Sequence, residues 1–333
     1  MKQSIKRTRS LLSRLALSAG VVLAAAAGAK AQSDATNFPN RVIRVIVPFA
    51  AGGGNDIFAR LVGAKVSEMT GQQLIIENRP AAGGRVAAEY VANQPGDGYT
   101  LFVGASGVMS IASAVFPKLP YHPTKNFIPL TMIADFPLIL VTPPNLPLKS
   151  VADLVDYAKK NPDKSNYAST SPAFILATEL LKLKTGMPAT NFPVKSSAEM
   201  VQCVNQGNCL LALSDPPPAV PQIQDNRVKA LAVTGKSRSP ELPNVPSMAE
   251  LGFPEVNTRL WSGFFAPAST PPAIAKKLEQ IISDAVKDAG VSSKLRAMAA
   301  NPGGISSEEF RKIIDADIEA YIQVVKAANL KFE

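Results

Sequence analysis

From residue 43 onward the chain alternates between short apolar runs and longer stretches in which apolar residues recur every three to four positions. Ile43–Val47, 73–77 and 99–104 are rich in β-branched and aliphatic residues and predict strands. Between them, Ile57, Phe58, Leu61, Val62 and Val66 fall on one helical stripe, and 84–93 repeats that spacing. A Pro-rich passage, 129–147, contains the apolar run Pro137-Leu-Ile-Leu-Val, which can carry the chain into a second unit. The rhythm then resumes, with helices at Val151–Lys160, 175–185 and 198–205 and strands at Asn166–Ser169, 189–194, 210–214 and Lys229–Val233. The run TRLWSGFFAP, 258–267, reads as a return crossing, and the C-terminal part of the chain is helical: Pro271-Pro272 marks a helix start, Leu278, Ile281, Ile282 and Val286 share a face, and 307–328 repeats the pattern.

Repeated strand-then-helix order implies α/β architecture with parallel-rich sheets flanked by helices. About 300 residues after the leader exceed what one core usually supports, so two domains are expected. The C-terminal helices have no sheet of their own and are assigned to the first. The predicted division is 32–137 with 260–333 as domain 1 and 138–259 as domain 2, joined by two crossover connections as a hinged clamp.

Residues 1–31 read as a secretory signal peptide: Lys2, Lys6, Arg7, Arg9 and Arg14 precede an apolar run from Leu15 to Ala29, closed by Ala29-Lys30-Ala31. The run is shorter than the roughly 20 residues a membrane span needs. No Cys follows the cut, so no lipid anchor is expected, and the lack of an adjacent Arg pair favours general secretion of a soluble protein. The leader holds six of the 35 Lys and Arg and none of the 26 acids, leaving 29 basic against 26 acidic residues, a balance of +3 rather than +9. The basic character is mostly leader, and a nucleic-acid partner is not expected.

The densest chemical signal lies at PFAAGGGND, where the first strand breaks into glycines before the first helix. Gly52, Gly53 and Gly54 permit close backbone approach, Asn55 or Asp56 can cap the helix, and the unpaired amides of a helix start attract an anion. A tight strand-to-helix connection is the plain alternative. A second such junction, Ser169-Thr170-Ser171-Pro172, has Ser171 as cap and Pro172 at the first helical position, which ordinary capping also explains. Two junctions, one per domain, can face each other across a cleft. Lys195 and Asp215 each follow a strand of the second domain and can reach that cleft, although Lys195 suits an exposed surface and Asp215, before three prolines, suits a cap. Trp261, Phe264 and Phe265 read as crossing-strand core. Cys203 and Cys209 are consistent with a local disulfide in an oxidising compartment or with two buried thiols.

Enzyme readings fail on counts. Gly104-Ala-Ser106-Gly107 is not a GxSxG elbow, and His122 is the only histidine. The glycine run lacks both P-loop and dinucleotide spacing, and no CxxC pair supports a metal site. No cofactor, metal or catalytic residue is predicted.

The ordered motifs PFAAGGGND, ENRPAAGG, DGYTL, PKLPYHPTKNF and RSPELPNVPSMAELG, running from about Phe38 to the C-terminus, resemble the solute receptors of tripartite tricarboxylate transporters, often called Bug receptors. The resemblance implies a monomeric periplasmic two-domain binding protein that closes on a small carboxylate and delivers it to membrane permease subunits. It implies that the turn Phe49 to Asp56, including Ala51, Gly53, Gly54 and Asn55, holds one carboxylate, and that Ser106 and the turn Ser169, Thr170 and Ser171 complete the pocket. Departures lie in the second domain: the glycine-rich run is shortened to Ala168-Ser-Thr-Ser-Pro, a frequent Pro-Tyr-Lys-Gly is Pro193-Val194-Lys195-Ser196, and Gly-Gly-Gln-Val-Asp is Gln206-Gly-Asn-Cys-Leu. Solute identity, aliphatic or aromatic dicarboxylate or tricarboxylate, is what these changes leave open. A sensor receptor acting through a signalling protein is the alternative role.

Overall fold

The apolar runs pair into a six-stranded sheet and two ribbons, of three and two strands, that together make a second sheet. The computed structural model describes residues 37–327, so the predicted leader lies outside the described residues. β1 (Ile43–Val47) pairs in parallel with β2 (Leu74–Asn78) and β3 (Thr100–Ala105), the arrangement that strand–helix alternation predicts. Helix α1 (Gly54–Thr70) and the shorter α2 (Arg85–Ala92) make these two connections. β3 leads into a π-helical turn, Gly107–Ile111, and one further helical turn, α3 (Ala112–Val115).

The chain then forms β4 (Phe127–Pro137), an 11-residue strand inside the Pro-rich passage that sequence pattern alone left unassigned. Only Leu138 separates it from β5 (Ile139–Thr142), which belongs to a different sheet. Around β5 lie α4 (Val151–Lys160), β6 (Asn166–Ser169), α5 (Pro172–Thr185), β7 (Thr190–Pro193), α6 (Ser197–Asn205), β8 (Ala212–Ser214), α7 (Pro216–Gln224) and β9 (Lys229–Val233). β5 pairs antiparallel with both β8 and β9, while β6 and β7 pair in parallel. A parallel bridge between Tyr167 and Leu211 joins these two ribbons.

β10 (Arg259–Pro267) returns to the first sheet and inserts antiparallel between β3 and β4. With β11 (Asn301–Pro302) the order becomes β11-β4-β10-β3-β1-β2. Alternation could not reveal these antiparallel pairs, because β10 arrives from a distant part of the chain. α8 (Pro272–Lys287) packs on β4 and α1, α9 (Ala289–Ala297) beside it, and α10 (Ser307–Ala327) on β4 and the Gly107–Ile111 turn. Trp261, Phe264 and Phe265 are buried, and the Trp261 and Phe310 rings meet edge-on at 4.9 Å. Each fully buried Phe contributes about 1.5–3 kcal/mol. The Trp261 indole N–H donates to Asp317 at 2.7 Å, fastening α10 to β10. Cys203, near the end of α6, is bonded to Cys209 in the turn before β8, with Cα atoms 5.2 Å apart.

Candidate functional site

The turn after β1 is braced from behind by its own polar side chains. The Asp56 carboxylate accepts from Gly52 N–H and from the Asn78 amide, each at 3.0 Å, and pairs with Arg60 at 2.9 Å. Asn78 also donates to the Phe49 carbonyl at 3.0 Å. Burial alone would raise the Asp56 carboxyl, but Arg60, Gly52 and Asn78 outweigh it and hold it below the ordinary value. Asn55 accepts from the Ser262 hydroxyl on β10. Both candidate caps are therefore committed to bracing the turn, and the helix starts earlier than predicted, with Gly53 as its cap in extended conformation (φ −77°, ψ 165°).

This start leaves the N–H groups of Gly54, Asn55 and Asp56 without intrahelical acceptors, at the positive end of the α1 dipole. Ile57 N–H is the first to find one, the Gly53 carbonyl at 3.0 Å. The second sheet presents the facing groups. Ala50 N–H donates to the Lys195 carbonyl at 3.2 Å, and Gly54 N–H donates to the Ser197 hydroxyl at 3.3 Å and to Asp215 Oδ2 at 3.1 Å. A Cβ on residue 54 would lie 2.1 Å from that oxygen, so glycine is what lets the Asp215 carboxylate sit against this amide. Asp215 stands at the start of α7 but does not cap it through its side chain; the carboxylate crosses to α1 instead. Burial drives its carboxyl up to about 6, against the lowering effect of hydrogen bonds from Ser197, Gly54, its own amide and Ser214.

The remaining predicted residues divide. Ser106 accepts from Trp261 N–H at 3.1 Å, and Ser169 donates to Asn191 at 2.6 Å, so each hydroxyl is engaged within its own sheet. Ser171 is buried at the start of α5, facing Gly83 and Gly107, with Pro172 at the first helical position. Ala51 is exposed on the turn. Phe49, Thr170 and Lys195 line a cavity of ≈ 110 Å³, together with Pro48, Val194 and the segment 80–84.

The 80–84 segment was not among the predicted site residues. Ala82, Gly83 and Gly84 all have positive φ, at 47°, 63° and 95°. A left-handed alanine costs on the order of 1 kcal/mol, and such backbone strain concentrates at functional sites. The signal in the sequence is Pro80-Ala-Ala-Gly-Gly directly after a strand, the same grammar as the first glycine turn. Among the described residues no group of three or more His, Cys, Asp or Glu could hold a metal, and no helix is long and apolar enough to cross a membrane.

Residues 58–330 match the tripartite tricarboxylate transporter family receptor. BugT of Bordetella pertussis is 32% identical over 97% of this chain and 99% of its own length. The chain belongs to this receptor family. Among solved structures, R. palustris Rpa4515 with adipate is 34% identical with a TM-score of 0.84, covering 88% of this chain and 99% of that one. MatC from Rhodopseudomonas palustris with bound malate is 31% identical with a TM-score of 0.83, covering 86% and 100%. The receptor thus has the two-lobed α/β fold of periplasmic binding proteins, with β4–β5 and the β9–β10 connection as its two crossings. Its family is one of solute-binding receptors, not enzymes.

Proposed function

We propose that the receptor captures a small organic di- or tricarboxylate between two domains, residues 32–137 with 260–333 and residues 138–259, and delivers it to membrane permease subunits. Two observations support this: the α1 first turn meets the second sheet's loops where Gly54 N–H donates to Ser197 and Asp215, and the preceding Phe49 lines a ≈ 110 Å³ cavity with Thr170, Val194 and Lys195 of the second sheet. One solute carboxylate is assigned to the Phe49 to Asp56 turn, while Thr170, Ser171 and the Lys195 backbone enclose the rest. Ser106 and Ser169 position that enclosure from within their sheets. The adipate and malate held by related receptors support this solute class.

Charge-assisted hydrogen bonds contribute about 1.5–3 kcal/mol each, so three or four of them reach the ~8 kcal/mol of a micromolar complex once ordering costs are subtracted. Exported by the 1–31 leader, the receptor works in the periplasm as a monomer without cofactor. A thermal-shift screen over aliphatic and aromatic dicarboxylates and citrate, followed by calorimetry, tests the reading. Stabilisation by at least one dicarboxylate, with mass spectrometry finding it unaltered, is expected. If no carboxylate stabilises the folded receptor, the assignment is wrong.

A further inference from the structure

The amide best placed for a solute carboxylate is already engaged by the chain itself. Gly54 N–H donates to Asp215 Oδ2 at 3.1 Å, across 161 residues of sequence and from one sheet's elements to the other's. Asp215 is only 2% exposed. It opens α7, where an aspartate ordinarily accepts from its own helix, yet it makes no such bond. The groups acting on it are neutral, namely the Ser197 and Ser214 hydroxyls and two backbone amides, and no cation is among them. What compensates its charge is the amide end of α1, which it can reach only while the two lobes touch.

The position admits one anion at a time. Oδ2 sits so close to Gly54 that a single added carbon there would lie 2.1 Å away. A solute oxygen on the same N–H would bring a second negative charge against Asp215 with no cation between them, an arrangement that strongly disfavours full ionisation of both.

We propose that Asp215 is a built-in stand-in for the solute: its carboxylate occupies the Gly54 amide when no solute is bound, holds the lobes together, and is displaced when a solute carboxylate takes that amide. Naming the competitor rests on the proposed function, whereas the latch between the lobes does not. Competition of this kind divides the dissociation constant by the fraction of receptor whose site is free, so a latch occupied nine-tenths of the time weakens binding about tenfold.

The test uses the full mature receptor, its Asp215→Ala variant, and Asp215→Asn, which keeps the side-chain shape and loses the charge. Small-angle scattering without solute should give a larger radius of gyration for Asp215→Ala than for the parent. Sodium acetate should close the variant at concentrations that leave the parent unchanged. Asp215→Asn should open less and also close on acetate, and it carries the test should the alanine variant fail to fold. With adipate or malate, whichever stabilises the parent, calorimetry should show Asp215→Ala binding about tenfold tighter. Variants as compact as the parent and indifferent to acetate overturn the latch. Weaker dicarboxylate binding overturns displacement and makes Asp215 a solute contact. Should neither dicarboxylate bind the parent, the proposed solute class fails while the acetate arm still reads the latch.

Discussion

Thr234 and Leu138 are joined by a reciprocal pair of hydrogen bonds: the Thr234 N–H donates to the Leu138 carbonyl at 2.8 Å, and the Leu138 N–H donates to the Thr234 hydroxyl at 2.7 Å. The same hydroxyl donates to the Thr258 carbonyl at 2.5 Å. Leu138 is the single residue between β4 and β5, and Thr258 immediately precedes β10. One fully buried side chain therefore ties together both passages between the sheets.

Thr234→Val should be costly although it barely changes shape. It strands the Leu138 amide and the Thr258 carbonyl, and each buried unpaired group costs about 1–3 kcal/mol. We expect a loss of about 2–4 kcal/mol in urea unfolding, with Thr234→Ser within about 1 kcal/mol of the parent. A loss below about 0.5 kcal/mol for the valine variant would mean that the bridge contributes nothing net.

Gly53→Val should impair solute binding without unfolding the receptor. The backbone at Gly53 is extended, which valine adopts freely, but a Cβ there already lies 3.1 Å from the Ser197 hydroxyl and the γ-carbons need more room. Closing the second sheet's loops onto the turn is then obstructed, and calorimetry should show at least about a tenfold drop in carboxylate affinity, about 1.4 kcal/mol. Unchanged affinity in a folded variant would place the carboxylate elsewhere.

Lys195→Ala should matter little. The lysine side chain is exposed, and its contact with the first-sheet turn is made by its carbonyl, which any residue supplies. Affinity within about threefold of the parent, under 1 kcal/mol, is expected by calorimetry. A large loss would show that the ammonium group itself reaches the solute.

The pH dependence of stability should carry the signature of Asp215. Its carboxyl is raised from 3.8 to about 6 in the folded receptor, chiefly by burial. Between those values the native state keeps a proton that the unfolded chain releases, so this group's contribution to stability falls as pH rises from 3.8 to about 6. The full effect is about 3 kcal/mol. Measured relative to Asp215→Asn by urea unfolding, the parent should be favoured near pH 4 and lose that advantage by pH 6. Parallel profiles would contradict the assignment.

Reduction of the Cys203–Cys209 bond should lower stability by about 2 kcal/mol on chain-entropy grounds, because the ring it closes is short. A Cys203→Ala/Cys209→Ala variant compared with the oxidised parent by thermal unfolding measures this directly. Equal melting temperatures would show that the bond contributes no net stability.

Much of this fold was legible because local pattern and final structure agree. Ile43–Val47, Val151–Lys160, Asn166–Ser169 and Lys229–Val233 have the predicted bounds, since each is a self-contained apolar or amphipathic run. Phe127–Pro137 was illegible because its prolines oppose a strand assignment, and only pairing with β10 and β11 makes the strand worthwhile. At the site, the glycine turn announced itself, but the roles of its polar residues did not. Asn55 and Asp56 look like caps in sequence and instead bond to Ser262, Gly52 and Asn78, while Asp215 looks like a cap of α7 and instead reaches Gly54. Each of these residues has a partner 22 to 207 positions away, beyond what spacing along the chain can encode.

The insertion of β10 between β3 and β4 also fixes when the molecule can become whole as the chain emerges. A chain emerging from its N-terminus can pair β1, β2 and β3 early, but β4 meets no neighbour in that sheet until residues 259–267 arrive, after the entire second sheet has been threaded out. Until then β3 and β4 present open edges, and open edges invite pairing with other chains. Between the appearance of residue 137 and that of residue 267 the emerging chain thus carries strand edges that its own sequence cannot yet cover.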